Sequence, residues 1–267
     1  MLKDITLGQF FPGNSVIHRL DPRTKLQAVI AYIVSIFLAD GIWSYLLCIT
    51  GLTAVILISR IQLRLILKSL KPVVLIVLFT AILNMFYVAG EPLITIWKIT
   101  ITKEGLATAA AMSLRIILLI AATALVTYTT SPIALTDAIE SLLGPLKKLH
   151  VPVHEFAMMM TIALRFIPTL INETDKIMSA QKARGADFES GNVLRRAKAL
   201  VPVLVPLFIS AFRRADDLAV AMECRLYHGG AGRTRLRSLR YTLLDLWGGL
   251  ASAAVCAGIL VLARVIR

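Results

Sequence analysis

From Leu26 to Ser59 the chain carries a single charged residue, Asp40, and no basic residue at all. A bilayer core is crossed by about 20 helical residues, so this stretch is too long for one crossing and too apolar for water. Asp40-Gly41 falls in its middle, where a carboxylate is costly in hydrocarbon, and the pair therefore marks a tight turn between two short spans. The pattern recurs along the chain, with a third span expected over Pro72 to Ala89, a fourth over Gly105 to Thr130 and a last one over Thr242 to Ala263. Composition agrees: 57% of the 267 residues are hydrophobic, and the mean hydropathy is +0.77, well outside the range of soluble proteins. The predicted fold class is an all-α integral membrane protein with about five transmembrane helices plus long amphipathic helices.

The segments between spans set the organisation. Pro12-Gly13 is a turn signal, and Asp21 followed by Pro22 reads as an N-cap and first helical residue. His18 has no neighbour at chelating spacing, so a structural hydrogen bond is expected of it. The polar start Met1-Leu2-Lys3-Asp4 shows no apolar run with a cleavage site, and no cleavable signal is expected. Arg60, Arg64, Lys68 and Lys71 lie on a short amphipathic connector. Ile94 to Thr102 alternates with period two, which predicts a small extended segment. Arg115, inside the fourth span, must face protein or snorkel, because a lipid-exposed arginine costs about 2.5 to 3.5 kcal/mol there.

Residues 131–241 hold 16 basic and 10 acidic residues around two apolar runs. Phe156 to Ile171 contains Arg165 and Pro168, and Ala199 to Phe212 contains Pro202 and Pro206. Each run is too short or too broken for a comfortable crossing, which predicts helices along the membrane interface; the alternative is two further spans. Met158-Met159-Met160 reads as soft packing surface. Arg213-Arg214-Ala215-Asp216-Asp217 reads as a solvated face with its charges paired along one helix. His150, His154 and Glu155 give only part of a zinc-binding pattern, and Cys48, Cys224 and Cys256 are odd in number with no CxxC, so no metal, disulfide or cofactor is expected. The net charge of +13 comes with no nucleic-acid-binding signature, so no nucleic-acid partner is expected.

Within this region, Gln181-Lys182-Ala183-Arg184-Gly185-Ala186-Asp187 is partly repeated at Ala221-Met222-Glu223-Cys224-Arg225-Leu226. Each copy places an arginine at the end of a long, mostly apolar helical stretch. Gly185 ends the first helix at little cost because glycine accepts positive φ. An arginine held there offers five fixed donors and a permanent charge, which suits a carboxylate- and carbonyl-lined groove on a partner. For the second copy, Gly229, Gly230 and Gly232 are the expected breakers, followed by Arg233, Arg235, Arg237 and Arg240 at the next boundary. Orientation follows from the basic residues. Four precede the first span, four lie between Arg60 and Lys71, and sixteen lie in 131–241, against four elsewhere outside the spans: Lys98, Lys103, Arg264 and Arg267. The asymmetry places the N-terminus and both arginine motifs in the cytoplasm and the C-terminus outside.

These residues carry a resemblance. His18-Arg19-Leu20-Asp21-Pro22-Arg23-Thr24-Lys25-Leu26, Thr129-Thr130-Ser131-Pro132, Arg165-Phe166-Ile167-Pro168, Gln181 to Asp187 and Ala221-Met222-Glu223, in this order, resemble the transmembrane T component of energy-coupling-factor (ECF) transporters, the family that includes the cobalt-transport CbiQ-like proteins. The resemblance covers nearly the whole chain. It implies a bacterial or archaeal cytoplasmic-membrane protein whose partners are two ATP-binding-cassette ATPases, a small substrate-capturing S component and the lipid bilayer. It also implies that the chain is the coupling subunit for uptake of a vitamin or transition-metal ion. The family's paired Ala-Arg-Gly motifs correspond to Ala183-Arg184-Gly185 and Cys224-Arg225-Leu226, with Gln181, Asp187 and Glu223 in support. The second copy departs on both flanks, so nothing in it requires a sharp helix end after Arg225. The implied organisation is a cytoplasmic segment 1–25, four spans in 26–130, a cytoplasmic or interfacial coupling-helix region 131–241, and a last span with a short tail, 242–267.

The rival reading, from a different class, is a self-contained secondary transporter or channel. Such proteins carry ionisable or helix-breaking residues along a midplane path, whereas here the spans offer only Arg115 and scattered Thr and Asn residues. No carboxylate pair, His cluster or nucleophile beside a base suggests catalysis, and no G-x-x-x-x-G-K-[ST] loop is present, so ATP hydrolysis is expected of a partner and not of this chain.

Overall fold

A computed structural model describes residues 10–96, 99–188, 190, 192–229 and 239–265. The expected features at Met1 to Asp4, Lys98, Gly230, Gly232, Arg233, Arg235, Arg237 and Arg267 lie outside these residues. Among the described residues the chain forms ten α-helices and one small hairpin. In order, the helices are α1 (Val16–Arg19), α2 (Pro22–Leu38), α3 (Ile42–Ser59), α4 (Leu63–Leu70), α5 (Val74–Tyr87), α6 (Lys103–Thr129), α7 (Pro132–Leu142), α8 (Val153–Ala183), α9 (Val193–Glu223) and α10 (Leu243–Val265). The hairpin pairs β1 (Pro92–Ile96) antiparallel with β2 (Ile99–Thr102), with Ile94 opposite Ile101 and Ile96 opposite Ile99. It falls where the period-two alternation predicts extended chain.

The protein is an all-α multi-pass membrane protein. Five helices are long and apolar enough to cross a membrane by length and composition: Ile42–Ser59, Leu63–Tyr87, Lys103–Thr129, Val153–Ala183 and Leu243–Val265. The number agrees with the sequence, but the set differs in two places. α2 has 17 residues, about 26 Å at 1.5 Å per residue, slightly short of a hydrocarbon core. α8 qualifies instead, because Pro168 does not end it: the helix runs on for 31 residues and joins the apolar run to the charged sequence that follows. Proline inside a helix removes one hydrogen bond and bends the axis without necessarily breaking it.

The chain divides into two compact units, Gly8–Ala138 with Leu239–Arg267, and one around Ile139–Ser238. In the first, the core is built from Ile36 of α2, Cys48, Leu52 and Ile56 of α3, Leu118, Ala122 and Leu125 of α6, and Ile259 of α10. α3 and α10 approach closely through small residues. A Cβ on Gly51 would lie 3.1 Å from Val255 Cγ1, and one on Gly258 would lie 3.0 Å from Leu47 Cδ2. With no hydrophobic drive between helices in lipid, such small-residue contact is what lets spans pack.

Arg115 finds its partners inside this unit. Its guanidinium donates to Tyr45 Oη at 3.0 Å and to the Ala39 carbonyl at 3.5 Å, and lies 5.7 Å from the centroid of the Phe37 ring. Ala39 follows the last residue of α2, so the cation meets the negative end of a helix dipole. This is a packing role, and it explains how an arginine is tolerated in a span.

Candidate functional site

The site is assembled within Ile139–Ser238 from the ends of α8 and α9. Each helix is 31 residues long. They lie antiparallel: Gln181 near the end of α8 reaches Pro202 near the start of α9, and Glu173 reaches Ser210 and Arg214 further along.

The first helix end is closed by its own backbone. Gly185 takes φ +87°, its N–H donates to the Lys182 carbonyl at 3.0 Å, and the Ala186 N–H donates to the Gln181 carbonyl at 2.9 Å. This paired arrangement satisfies the last orphan carbonyls of the helix, and a left-handed residue is what makes it possible. The second end repeats it. Leu226 takes φ +57°, its N–H donates to the Glu223 carbonyl at 2.8 Å, and the Tyr227 N–H donates to the Met222 carbonyl at 3.0 Å. Every donor and acceptor is displaced by 41 positions from its counterpart, the separation of Arg184 and Arg225.

The sequence alone left the end after Arg225 open, and the structure closes it. α9 stops at Glu223, and the sharp turn comes at Leu226, before any of the downstream glycines. A leucine in the left-handed region is strained by roughly 1 to 2 kcal/mol relative to glycine. Its side chain is 78% exposed, so no packing offsets that cost.

Both arginines are presented outward. Ala183, Arg184, Gly185, Cys224, Arg225 and Leu226 are all exposed, and neither guanidinium makes an ion pair with any described residue. The supporting residues divide. Gln181 donates from Nε2 to the Pro202 carbonyl at 3.4 Å; Pro206, four residues on, has no N–H to take that carbonyl, so Gln181 fills a vacancy that proline creates. Asp187 accepts from the Ser190 N–H at 3.1 Å and from its hydroxyl, which fixes the turn after the first motif. Glu223 supplies the carbonyl that Leu226 uses, and its side chain is exposed.

One pair was not foreseen from the sequence. Arg214 does not belong to a wholly solvated charged face: its Nη2 meets Glu173 Oε2 at 2.7 Å, while the Ser210 hydroxyl donates to Glu173 Oε1 at 2.6 Å. The pair ties α8 to α9 between the two arginine ends. A heptad-like count along one helix sees only intrahelical partners for Arg214, so the contact has no local signal. His154, considered above with His150 as a partial zinc pattern, holds Glu140 through Nδ1 at 3.0 Å. Among the described residues no three His, Cys, Asp or Glu side chains cluster to hold a metal ion.

The sequence profile of the family described as Cobalt transport protein (CbiQ) matches residues 13–236, most of the chain. The chain belongs to the CbiQ family. It is similar to proteins named Energy-coupling factor transporter transmembrane protein EcfT in several bacteria. The protein of Ruminiclostridium cellulolyticum is 55% identical over 247 residues, covering 92% of each chain. That of Thermosediminibacter oceani is 54% identical over 257 residues, covering 96% of this chain and 97% of the relative, and that of Acidaminococcus fermentans is 55% identical over 256 residues, covering 96% and 95%. In this CbiQ-family chain the profile match contains both arginine motifs.

Proposed function

We propose that the chain is the transmembrane coupling subunit of an ECF-type importer, transmitting ATP-driven movement of two ATPase subunits to a substrate-binding S component that takes up a vitamin or transition-metal ion. The observation that carries this reading is the duplicated helix end: two exposed arginines, Arg184 and Arg225, each followed directly by a left-handed residue and the same pair of backbone hydrogen bonds. A pair of ATPases presents two equivalent grooves, and a single membrane chain can fill both only by carrying two equivalent docking ends. Antiparallel helices of equal length provide them, facing opposite ways.

Docking rests on Ala183, Arg184 and Gly185 at one groove and on Cys224, Arg225 and Leu226 at the other. Each guanidinium enters with its donors unspent, so charge-assisted hydrogen bonds to the groove form without breaking an internal pair. When nucleotide closes the ATPases, the grooves approach and the anchored helix ends move with them. The exposed apolar residues of α9, among them Leu204, Phe208 and Phe212, then bear on the S component. Hydrolysis belongs to the ATPases. The N-terminus and both docking ends face the cytoplasm, in keeping with the excess of Lys and Arg in these segments.

The test is co-expression with candidate ABC ATPases and purification through a tag on the membrane subunit. Retention of ATPase at about two per chain supports the reading. A chain that takes up substrate alone, with no ATPase, would make it the self-contained transporter of the rival reading.

A further inference from the structure

The motif His18 to Leu26 lies outside the two arginine ends, yet together with Asp245 it supplies the buried charged residues of its unit among the described residues. Lys25 is 7% exposed, Asp21 6% and Asp245 3%. Lysine carries three donors, and Lys25 uses them on the Thr129 carbonyl at 3.0 Å, the His18 carbonyl at 3.3 Å and Thr130 Oγ1 at 3.4 Å. His18 and Thr129 lie in the last turns of α1 and α6, whose carbonyls have no partner within their own helices and whose dipoles favour a cation. The Phe11 N–H adds a bond to the Tyr128 carbonyl at 2.9 Å. The segment therefore grips residues 128–130 at both of its ends, just before the chain departs into Ile139–Ser238.

Residues between those ends grip the chain on its return. Thr242 and Asp245 form a capping pair at the start of α10, the carboxylate taking the Thr242 N–H at 2.7 Å and its hydroxyl at 2.6 Å on Oδ2. The remaining oxygen, Oδ1, accepts the Asp21 N–H at 2.6 Å. Asp21 in turn caps α2 through the Arg23 N–H at 2.9 Å and pairs with the Arg23 guanidinium, which lies 4.2 Å from the centroid of Tyr241. One short segment thus holds both passages of the chain, at 128–130 through Phe11 and Lys25 and at 241–245 through Asp21 and Arg23.

We propose that Phe11 to Lys25 is a clamp on both passages of the chain, with Lys25 and Asp245 as positioning residues, that makes movement of residues 139–238 pull on the spans instead of being absorbed where the chain passes between the two. The proposal rests on the coupling reading above. Docking needs only the helix ends, so a chain with a loosened clamp still binds and activates ATPases. What it loses is substrate moved per ATP.

The experiment uses the full complex with both ATPases and the S component in proteoliposomes, comparing wild type, Lys25→Met, Asp245→Asn and the conservative Lys25→Arg. ATPase retained per membrane subunit and ATP turnover should stay within about twofold, while substrate moved per ATP falls about tenfold, in the range of typical coupling energies. Lys25→Arg, which keeps its donors, should recover most of that loss. Should Lys25→Met or Asp245→Asn fail to reach the membrane, Thr130→Val, near-isosteric and removing only one Lys25 acceptor, reads the same ratio with about a twofold fall. Retention, turnover and uptake falling in proportion would show a merely structural role and overturn the proposal, as would an unchanged ratio. A wild-type chain that retains no ATPase overturns the coupling reading itself, which separates the two failures.

Discussion

Glu173 and Arg214 meet at 2.7 Å, and each stands eleven residues before one of the two exposed arginines, Arg184 and Arg225. The pair therefore lies midway between the two arginine ends of the antiparallel helices, where an approximate local two-fold would exchange α8 with α9 and one arginine with the other. Eleven residues rise about 16 Å, so the two ends lie on the order of 30 Å apart along the pair. A pair of like ATPases has the same symmetry element.

A contact at that midpoint sets the angle between the helices while adding little to stability, since the Arg214 side chain is 41% exposed and such pairs are weak. Glu173→Gln or Arg214→Gln is expected to leave the melting temperature nearly unchanged and to lower uptake by about tenfold, in the range of coupling effects. The exchange Glu173→Arg with Arg214→Glu should restore most of it. Transport assays on the three variants check this, and equal loss in the exchanged pair would show that the contact is not what matters.

The strain at Leu226 gives a prediction of opposite sign. Leu226→Gly should stabilise the chain by about 1 kcal/mol, because glycine adopts the left-handed conformation without penalty. Thermal unfolding of the purified protein reads this directly. Gly185→Leu, at φ +87°, should destabilise by a similar amount. A destabilised Leu226→Gly would mean that the leucine side chain has a role in the isolated chain.

The comparison of these two ends also shows what the sequence made legible. Gly185 announces its helix end, and Asp21 with Pro22 announces the start of α2, because both residue types are chosen by backbone geometry. Leu226 announces nothing: a bulky residue at positive φ is rare, and only the closing bonds from Leu226 and Tyr227 reveal it. Spans were legible from hydropathy, but hydropathy does not say that a helix passes through its proline, as α8 does at Pro168. Partners of Arg115, Arg214, Gln181 and Asp245 were invisible for one reason. Each reaches across to another helix or a distant segment, and such long-range contacts leave no periodic trace.

Protonation gives a further check outside the spans. His18 places Nε2 3.1 Å from the Phe11 carbonyl and Nδ1 2.7 Å from Ser15 Oγ, and burial holds its pKa below the ordinary value of 6.5. The folded segment thus binds a proton less readily than the unfolded one. Its stability is fully present above 6.5 and declines as pH falls through that value towards the lowered one. Hydrogen exchange at the Phe11 amide should lose protection below pH 6.5 beyond the intrinsic pH effect, and His18→Asn should remove that dependence. A pH-independent protection in the wild type would contradict the assignment.

Orientation is tested by labelling in a Cys224→Ala background, which removes the exposed native thiol. A cysteine replacing Glu91 should react with an impermeant reagent from outside, and one replacing Asn192 only after permeabilisation. External reaction at 192 would place the docking ends on the wrong face of the membrane.

The central claim, that Arg184 and Arg225 are the two ATPase anchors, is tested most directly by the amount of ATPase that co-purifies with the tagged membrane subunit. A charge-assisted arginine contact contributes about 1.5 to 3 kcal/mol. Because both ends carry the same backbone bonds, Arg184→Glu and Arg225→Glu should each lower retention by a similar factor, about tenfold, with the second site still tethered. The double variant should retain none while inserting normally. Arg196→Glu with Arg213→Glu makes the same charge change at exposed positions of α9 and should retain ATPase as the wild type does. Retention by the Arg184/Arg225 double variant, with loss in the Arg196/Arg213 control, would contradict the account.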